Sequence, residues 1–235
     1  MTSSQQPGTS RLVSSNQAHT HPRLPSVLHK HLTSEHREPV ADYNRAAFDT
    51  VCQRIQDSPL ILDSFCGSGH STAVLANSYP DHLVIGIDKS ASRIARHADT
   101  KWDNYLVIQA ECEPLWKLLA DEGIRVRRHY LLYPNPWPKS KHLKRRIHGH
   151  PGFAALLQLR GVVELRSNWQ LYVEEFGLAM QLAGYPGRVS LLAEPGEARE
   201  EEDLTLFEKK YRLSEHPLWA FQADLRHRDD PQNMG

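Results

Sequence analysis

From residue 60 onward the chain alternates short apolar runs with longer amphipathic stretches. The runs at 60–62, 83–87, 105–109, 129–133, 161–165, 188–193 and 218–225 are brief, continuous and bounded by turn residues, so each predicts a strand. Between them, a helix is expected after His70, a second from the N-cap Ser90 to about residue 99, and others over 111–121, 153–159 and 170–182. A short helix opens at 205–211. Upstream, Tyr43, Ala47, Val51 and Ile55 recur at helical spacing, predicting a helix over 40–55. Strands and helices that alternate at this period build an α/β fold, a mostly parallel sheet with helices on both faces. Residues 1 to about 25 are Ser, Thr, Gln, Asn, Pro and His with little to bury, and read as a mobile tail. Residues 26–235 then form a single domain.

Composition changes this picture in two places. The formal net charge is zero, yet residues 123–163 contain no Asp or Glu and nine cations: Arg125, Arg127, Arg128, Lys139, Lys141, Lys144, Arg145, Arg146 and Arg160. That asymmetry is an electrostatic footprint for a polyanion, although a solvated basic face is the plain alternative. Cys52, Cys66 and Cys112 are odd in number and lack CxxC spacing, which points to a reducing compartment and away from structural zinc. The pairs His19/His21 and His29/His31 have no Cys or carboxylate to complete a set, so no metal site is expected. No apolar run approaches the ~20 residues of a membrane span, and residues 1–10 are polar. The expected location is the cytoplasm.

Candidate chemistry gathers at predicted strand ends. The strand at 129–133 runs into Pro134-Asn135-Pro136-Trp137-Pro138-Lys139, with Lys144-Arg145-Arg146 close behind. Prolines should hold Asn135 and Trp137 extended. An amide, a flat aromatic face and a phosphate-binding cluster suit a nucleobase; a proline-stiffened surface loop is the alternative. The first strand turn, Asp63-Ser64-Phe65-Cys66-Gly67-Ser68-Gly69-His70, leads into a helix. Gly67 and Gly69 allow close backbone approach to a ligand. Asp88 ends the next strand, where a carboxylate can hold ribose hydroxyls. Glu111 follows the third, where an acid can meet an adenine amino group. An acid at position 63 repels a pyrophosphate but suits a cofactor with a cationic amino-acid end, which favours S-adenosylmethionine over NAD. Asp63 as a turn cap and Glu111 as a helix N-terminal acid remain the simpler readings.

Residues 60–225 resemble the bacterial single-chain tRNA (guanine-N7)-methyltransferases. The resemblance rests on Pro134-Asn135-Pro136-Trp137-Pro138-Lys139 with Lys144-Arg145-Arg146, on Ser167-Asn168-Trp169 followed by Tyr172, and on Thr205-Leu206-Phe207-Glu208. It implies a seven-stranded Rossmann-like methyltransferase fold and methylation of a variable-loop guanosine of tRNA, with no obligate protein partner. It further implies that Asp63, Gly67, Gly69, Asp88, Glu111 and Asn135 contact the cofactor, with Asn135 also at the active centre. Lys139, Lys144, Arg145, Arg146, Asn168, Thr205, Leu206, Phe207 and Glu208 would contact the RNA. The family commonly has aspartate where this chain has Asn135 and Asn168. Guanine N7 presents a lone pair, so no general base is required. Methylation of an exocyclic amine, or RNA binding without catalysis, stays open on these residues.

Overall fold

Strands covered on both faces read as continuous apolar runs because neither face meets water. Strands β1 (Leu60–Ser64) and β2 (Leu83–Asp88) obey this and are buried along their whole length. Their side chains alternate between two cores. Leu60, Leu62, Leu83, Ile85 and Ile87 join a large cluster, while Ile61 and Val84 join a smaller one on the other face. This computed structural model describes residues 10–34, 39–55, 58–98, 100–195 and 203–226. Five further strands, β3 (Tyr105–Gln109), β4 (Arg128–Leu132), β5 (Val162–Ser167), β6 (Arg188–Ala193) and β7 (Leu218–Asp224), complete one seven-stranded sheet. Its order is β3-β2-β1-β4-β5-β7-β6. The first five strands are mutually parallel, and β7 runs antiparallel to both β5 and β6.

The helices in chain order are α1 (Leu24–Thr33), α2 (Asp42–Arg54), α3 (His70–Ser78), α4 (Ala91–Ile94), α5 (Cys112–Asp121), α6 (Phe153–Gln158), α7 (Gln170–Leu182) and α8 (Leu206–Leu213). Residues of α1, α2, α5, α6 and α7 fill the large cluster; Leu75 and Ala76 of α3 fill the smaller. The expected α/β sheet with helices on both faces is the fold observed. Strand order reverses between β1 and β4, so the crevice beyond their carboxyl ends is the place where such sheets bind ligands.

Three features depart from the pattern-based expectation. Helix α1 is additional to the expected elements; its buried Leu24, Val27 and Leu28 sit at helical spacing, with Pro25 in the first turn where a missing N–H costs nothing. Helix α4 ends at Ile94 rather than near residue 99, because His97 is drawn off to the glycine turn; residue 99 itself lies outside the described residues. Residues 1–9 of the expected tail also lie outside. Residues 10–23 instead form a strap across the carboxyl ends of the strands, tied to α7, to the proline loop and to the start of β7. Among the described residues no helix is long and apolar enough to cross a membrane.

Candidate active-site cleft

The glycine turn is shaped by positive backbone angles. Phe65, Gly67 and Gly69 have φ of 65°, 64° and 77°. A Cβ on Gly69 would lie 2.6 Å from Val107 and 2.8 Å from His97, so only glycine fits there; one on Gly67 would meet nothing within 4 Å. His97 clamps the turn. Its Nδ1 lies 2.8 Å from the Ser68 carbonyl, which can only accept, so Nδ1 carries the proton and Nε2 accepts from the Tyr105 hydroxyl at 2.9 Å.

Asp63 is fully buried beneath this turn. Its Oδ2 accepts from the hydroxyls of Ser71 (2.6 Å) and Thr72 (2.7 Å). Thr72 reaches it over Gly86 of β2, where any Cβ would stand 2.2 Å from the Thr72 hydroxyl. Among the described residues, Asp63 Oδ1 is buried with no hydrogen-bond partner. Burial pushes the carboxyl up to about 6, against the pull of the two hydroxyls and with a smaller push from Asp88. A buried acid with one unanswered oxygen is matched by a cationic donor.

Asp88, Glu111 and Asn135 line one cleft of about 910 Å³ beyond the strand ends, while Asp63, Gly67 and Gly69 lie outside its lining. Asp88 is 1% exposed; its Oδ2 accepts from Gly67 N at 3.0 Å and its Oδ1 from Ser90 N at 2.8 Å. The Arg93 guanidinium stands 2.8 Å from the same Oδ1, a partner not anticipated from sequence. Glu111 is positioned by a residue that no motif marks. Asn44, buried on α2, accepts from Glu111 N at 2.9 Å and directs Nδ2 toward Glu111 Oε2 at 3.4 Å. A lone asparagine inside an amphipathic helix is the one sequence signal for it.

The proline loop closes the far wall. Tyr133 and Trp137 have φ of 52° and 46°, so Trp137 is not extended as expected. The pre-proline clash excludes the right-handed region but leaves the left-handed one, and Asn135 Oδ1 pins the turn by accepting from Trp137 N at 3.2 Å. Against it packs a row of aromatic rings, Phe207 on Tyr211 (6.2 Å) and Tyr211 on Tyr133 (5.5 Å). Phe207, Tyr211 and Asn168 all line the cleft.

Three of the residues expected at the RNA have buried side chains. Arg146 is 0% exposed. It forms an ion pair with buried Glu175 of α7, donates Nη2 to Gln17 Oε1 (3.1 Å), and donates Nε and Nη2 to the Trp137 carbonyl (3.3 and 3.2 Å). Arg146 therefore staples the loop from inside instead of facing RNA. Glu208 is likewise 0% exposed and pairs with Arg166 at 2.9 Å, while Thr205 caps α8 by accepting from Glu208 N at 2.8 Å. Of that motif only Leu206 and Phe207 project outward. The basic footprint also divides. Arg125, Arg127, Arg128 and Arg160 lie at the amino ends of β4 and β5, a strand length away from the exposed Lys139, Lys141, Lys144 and Arg145, of which Lys144 and Arg145 line the cleft.

Glu175 has no sequence signal, because nothing in its helical context marks it. Burial opposes its charge, but His148 and Arg146 outweigh that and hold its carboxyl down at about 2. The same carboxylate accepts from Gln17 Nε2 (2.8 Å) and His21 N (2.6 Å), tying the strap to the loop.

Comparison with known proteins bears on the family and the fold. A family model described as "Putative methyltransferase" matches residues 57–221. A tRNA (guanine-N(7)-)-methyltransferase of Ectopseudomonas mendocina is 31% identical over 73% of this chain and 74% of its own. The enzyme of the same name from Stutzerimonas stutzeri is 30% identical over the same shares. Among solved structures, an antibiotic-related methyltransferase (TM-score 0.57, 13% identity, 83% of this chain and 98% of that one) and the 16S rRNA methyltransferase KamB (0.53, 18%, 81% and 96%) share the fold. With a family model spanning most of the chain and relatives matched across nearly three quarters of both sequences, this chain belongs to the tRNA (guanine-N7)-methyltransferase family.

Proposed function

We propose that this protein is an S-adenosylmethionine-dependent enzyme that methylates N7 of a guanosine in the variable loop of tRNA. The observation that carries the reading is the meeting, in one cleft at the sheet's switch point, of Asp88, Glu111, Asn135 and an aromatic wall above the glycine turn. The residues fit the cofactor: beneath the turn Asp63 keeps a buried oxygen without a donor among the described residues, which suits a cationic group above it, and Gly67 leaves open space beside the turn. Glu111, fixed by Asn44, and Asp88 supply acceptors along the same side. When bound, S-adenosylmethionine supplies an electrophilic methyl carbon. The protein's own work is alignment, because N7 already carries its lone pair. Asn135 orients the base edge, Phe207 and Tyr211 offer a stacking face, and Lys139, Lys141, Lys144 and Arg145 hold phosphates. The direct test incubates purified protein with unmodified tRNA and labelled cofactor and identifies the product nucleoside by mass spectrometry. 7-Methylguanosine supports the reading; an absence of any methylated nucleoside with cofactor bound overturns it.

Burial pushes the Asp63 carboxyl up to about 6, and a cofactor cation seated at the glycine turn above it stabilises its charged form, so cofactor binding must expel a proton below that pH. Cofactor affinity should therefore be flat above pH 7 and fall toward about tenfold per unit below pH 6. Asp63→Asn should bind more weakly at pH 7.5 and lose that pH dependence. Calorimetry that finds the same profile in both proteins would remove Asp63 from the cofactor site. For the basic cluster, replacing Lys139, Lys144 and Arg145 together with alanine should weaken tRNA binding. Its log–log salt slope should flatten by roughly 0.7–0.9 for each phosphate no longer neutralised. Cofactor affinity should stay unchanged. An unaltered salt slope would take the RNA surface elsewhere.

A further inference from the structure

We infer that His216 is a positioning residue that fixes which end of the Asn168 amide faces the target base; the inference rests on the proposed guanine methylation. His216 is 3% exposed, two residues before β7, and stacks on Tyr211 at 5.4 Å with 17° between the rings. Its Nε2 lies 3.0 Å from the Ser10 carbonyl of the strap. A carbonyl only accepts, so Nε2 carries the imidazole proton and Nδ1 keeps a bare lone pair. Asn168 Nδ2 lies 2.9 Å from that Nδ1. The amide must therefore turn its NH₂ toward His216, and its oxygen is left for the cleft that Asn168 lines. Among the described residues that oxygen has no hydrogen-bond donor.

The chemistry explains why such a device is needed here. A carboxylate presents an acceptor however it rotates. An asparagine presents one only when the amide is held, and an unheld amide offers donors half the time. Guanine shows adjacent N1–H and N2–H donors, which call for acceptors. Ser10, His216 and Asn168 thus form a relay in which a backbone carbonyl sets the imidazole tautomer and the tautomer sets the amide. The relay supplies by orientation what the aspartate common in this family supplies by symmetry.

The test compares kcat/KM for 7-methylguanosine formation in the native protein, His216→Phe, Asn168→Asp and the double variant. Phenylalanine keeps the ring on Tyr211 and removes both nitrogens. His216→Phe should cost roughly fivefold in the native background, the order of one net hydrogen bond, and less than about twofold when Asn168→Asp is present. A merely structural role for His216 would give equal losses in both backgrounds, and that result, or no loss in either, overturns the inference. Nitrogen-15 spectra of native His216 give a second readout that needs no variant and no activity. The Nε2–H tautomer supports the relay and the Nδ1–H tautomer overturns it. If the native protein forms no 7-methylguanosine, the proposed function fails on its own, while the tautomer still decides the relay.

Discussion

Arg146→Ala is expected to lower folding stability by about 3–5 kcal/mol, the range for removing one partner of a buried ion pair. The side chain is fully buried, and four groups depend on it: Glu175, Gln17, the Trp137 carbonyl and the Trp169 ring, 5.3 Å from the guanidinium. Its removal leaves the buried Glu175 carboxylate with only His148, Gln17 and the His21 N–H as partners. It also frees the Trp137 carbonyl and opens a cavity. In a chain of this size the melting temperature should fall by roughly 6–20 °C. Arg145→Ala, one residue away but exposed, should melt near the native temperature. Thermal melts of the two variants separate the roles, and an Arg146→Ala protein that melts close to native would show that the staple contributes little. The same carboxylate bears on pH. Glu175 is held below its ordinary value, so its contribution is present above about 4.5 and is lost as pH falls toward about 2.

The contrast between Arg145 and Arg146 marks what a sequence reveals and what it hides. Periodicity exposes all seven strands because each is written in a local apolar run, while the switch point needs the strand order that the structure gives. Asp88 and Glu111 are legible because strand ends are predictable positions and acids there are few. Charge is legible as well, but burial of a charge is not. Arg146 finds Glu175 29 residues on, and Arg166 finds Glu208 42 residues on, so neither partner lies in the window where motifs are read. The resemblance draws Arg146, Thr205 and Glu208 to the RNA because their motifs sit around the cleft; the structure shows them supporting it from behind. Positioning residues such as Asn44, His97 and His216 escape sequence reading for a related reason. Each acts through hydrogen bonds to a residue distant in sequence, and a single polar residue carries no pattern.

Asn135→Ala is expected to cost on the order of 2–3 kcal/mol in kcat/KM, or about 30- to 150-fold. Two losses combine. The side chain is exposed in the cleft, where its amide can meet the base, and its Oδ1 also accepts from Trp137 N, holding the loop in a left-handed turn. Alanine removes the base contact and the pin together. Asn135→Asp keeps the pin, because a carboxylate oxygen accepts from Trp137 N as an amide oxygen does, and it adds a charged acceptor toward N1–H and N2–H of guanine. Turnover on guanine should then hold or rise. Cofactor affinity measured by calorimetry should change little in the aspartate variant, which separates an effect on the base from one on the pocket. The product carries the decision between chemistries. Alkylation at N7 needs alignment alone, so an amide or a carboxylate at 135 both serve; attack by an exocyclic amine uses a neutral amide oxygen to accept from the amine. N2-methylguanosine or N6-methyladenosine from the native protein, without 7-methylguanosine, would overturn the assignment. A fall in activity with Asn135→Asp equal to that with Asn135→Ala would show that the neutral amide itself is required at this position.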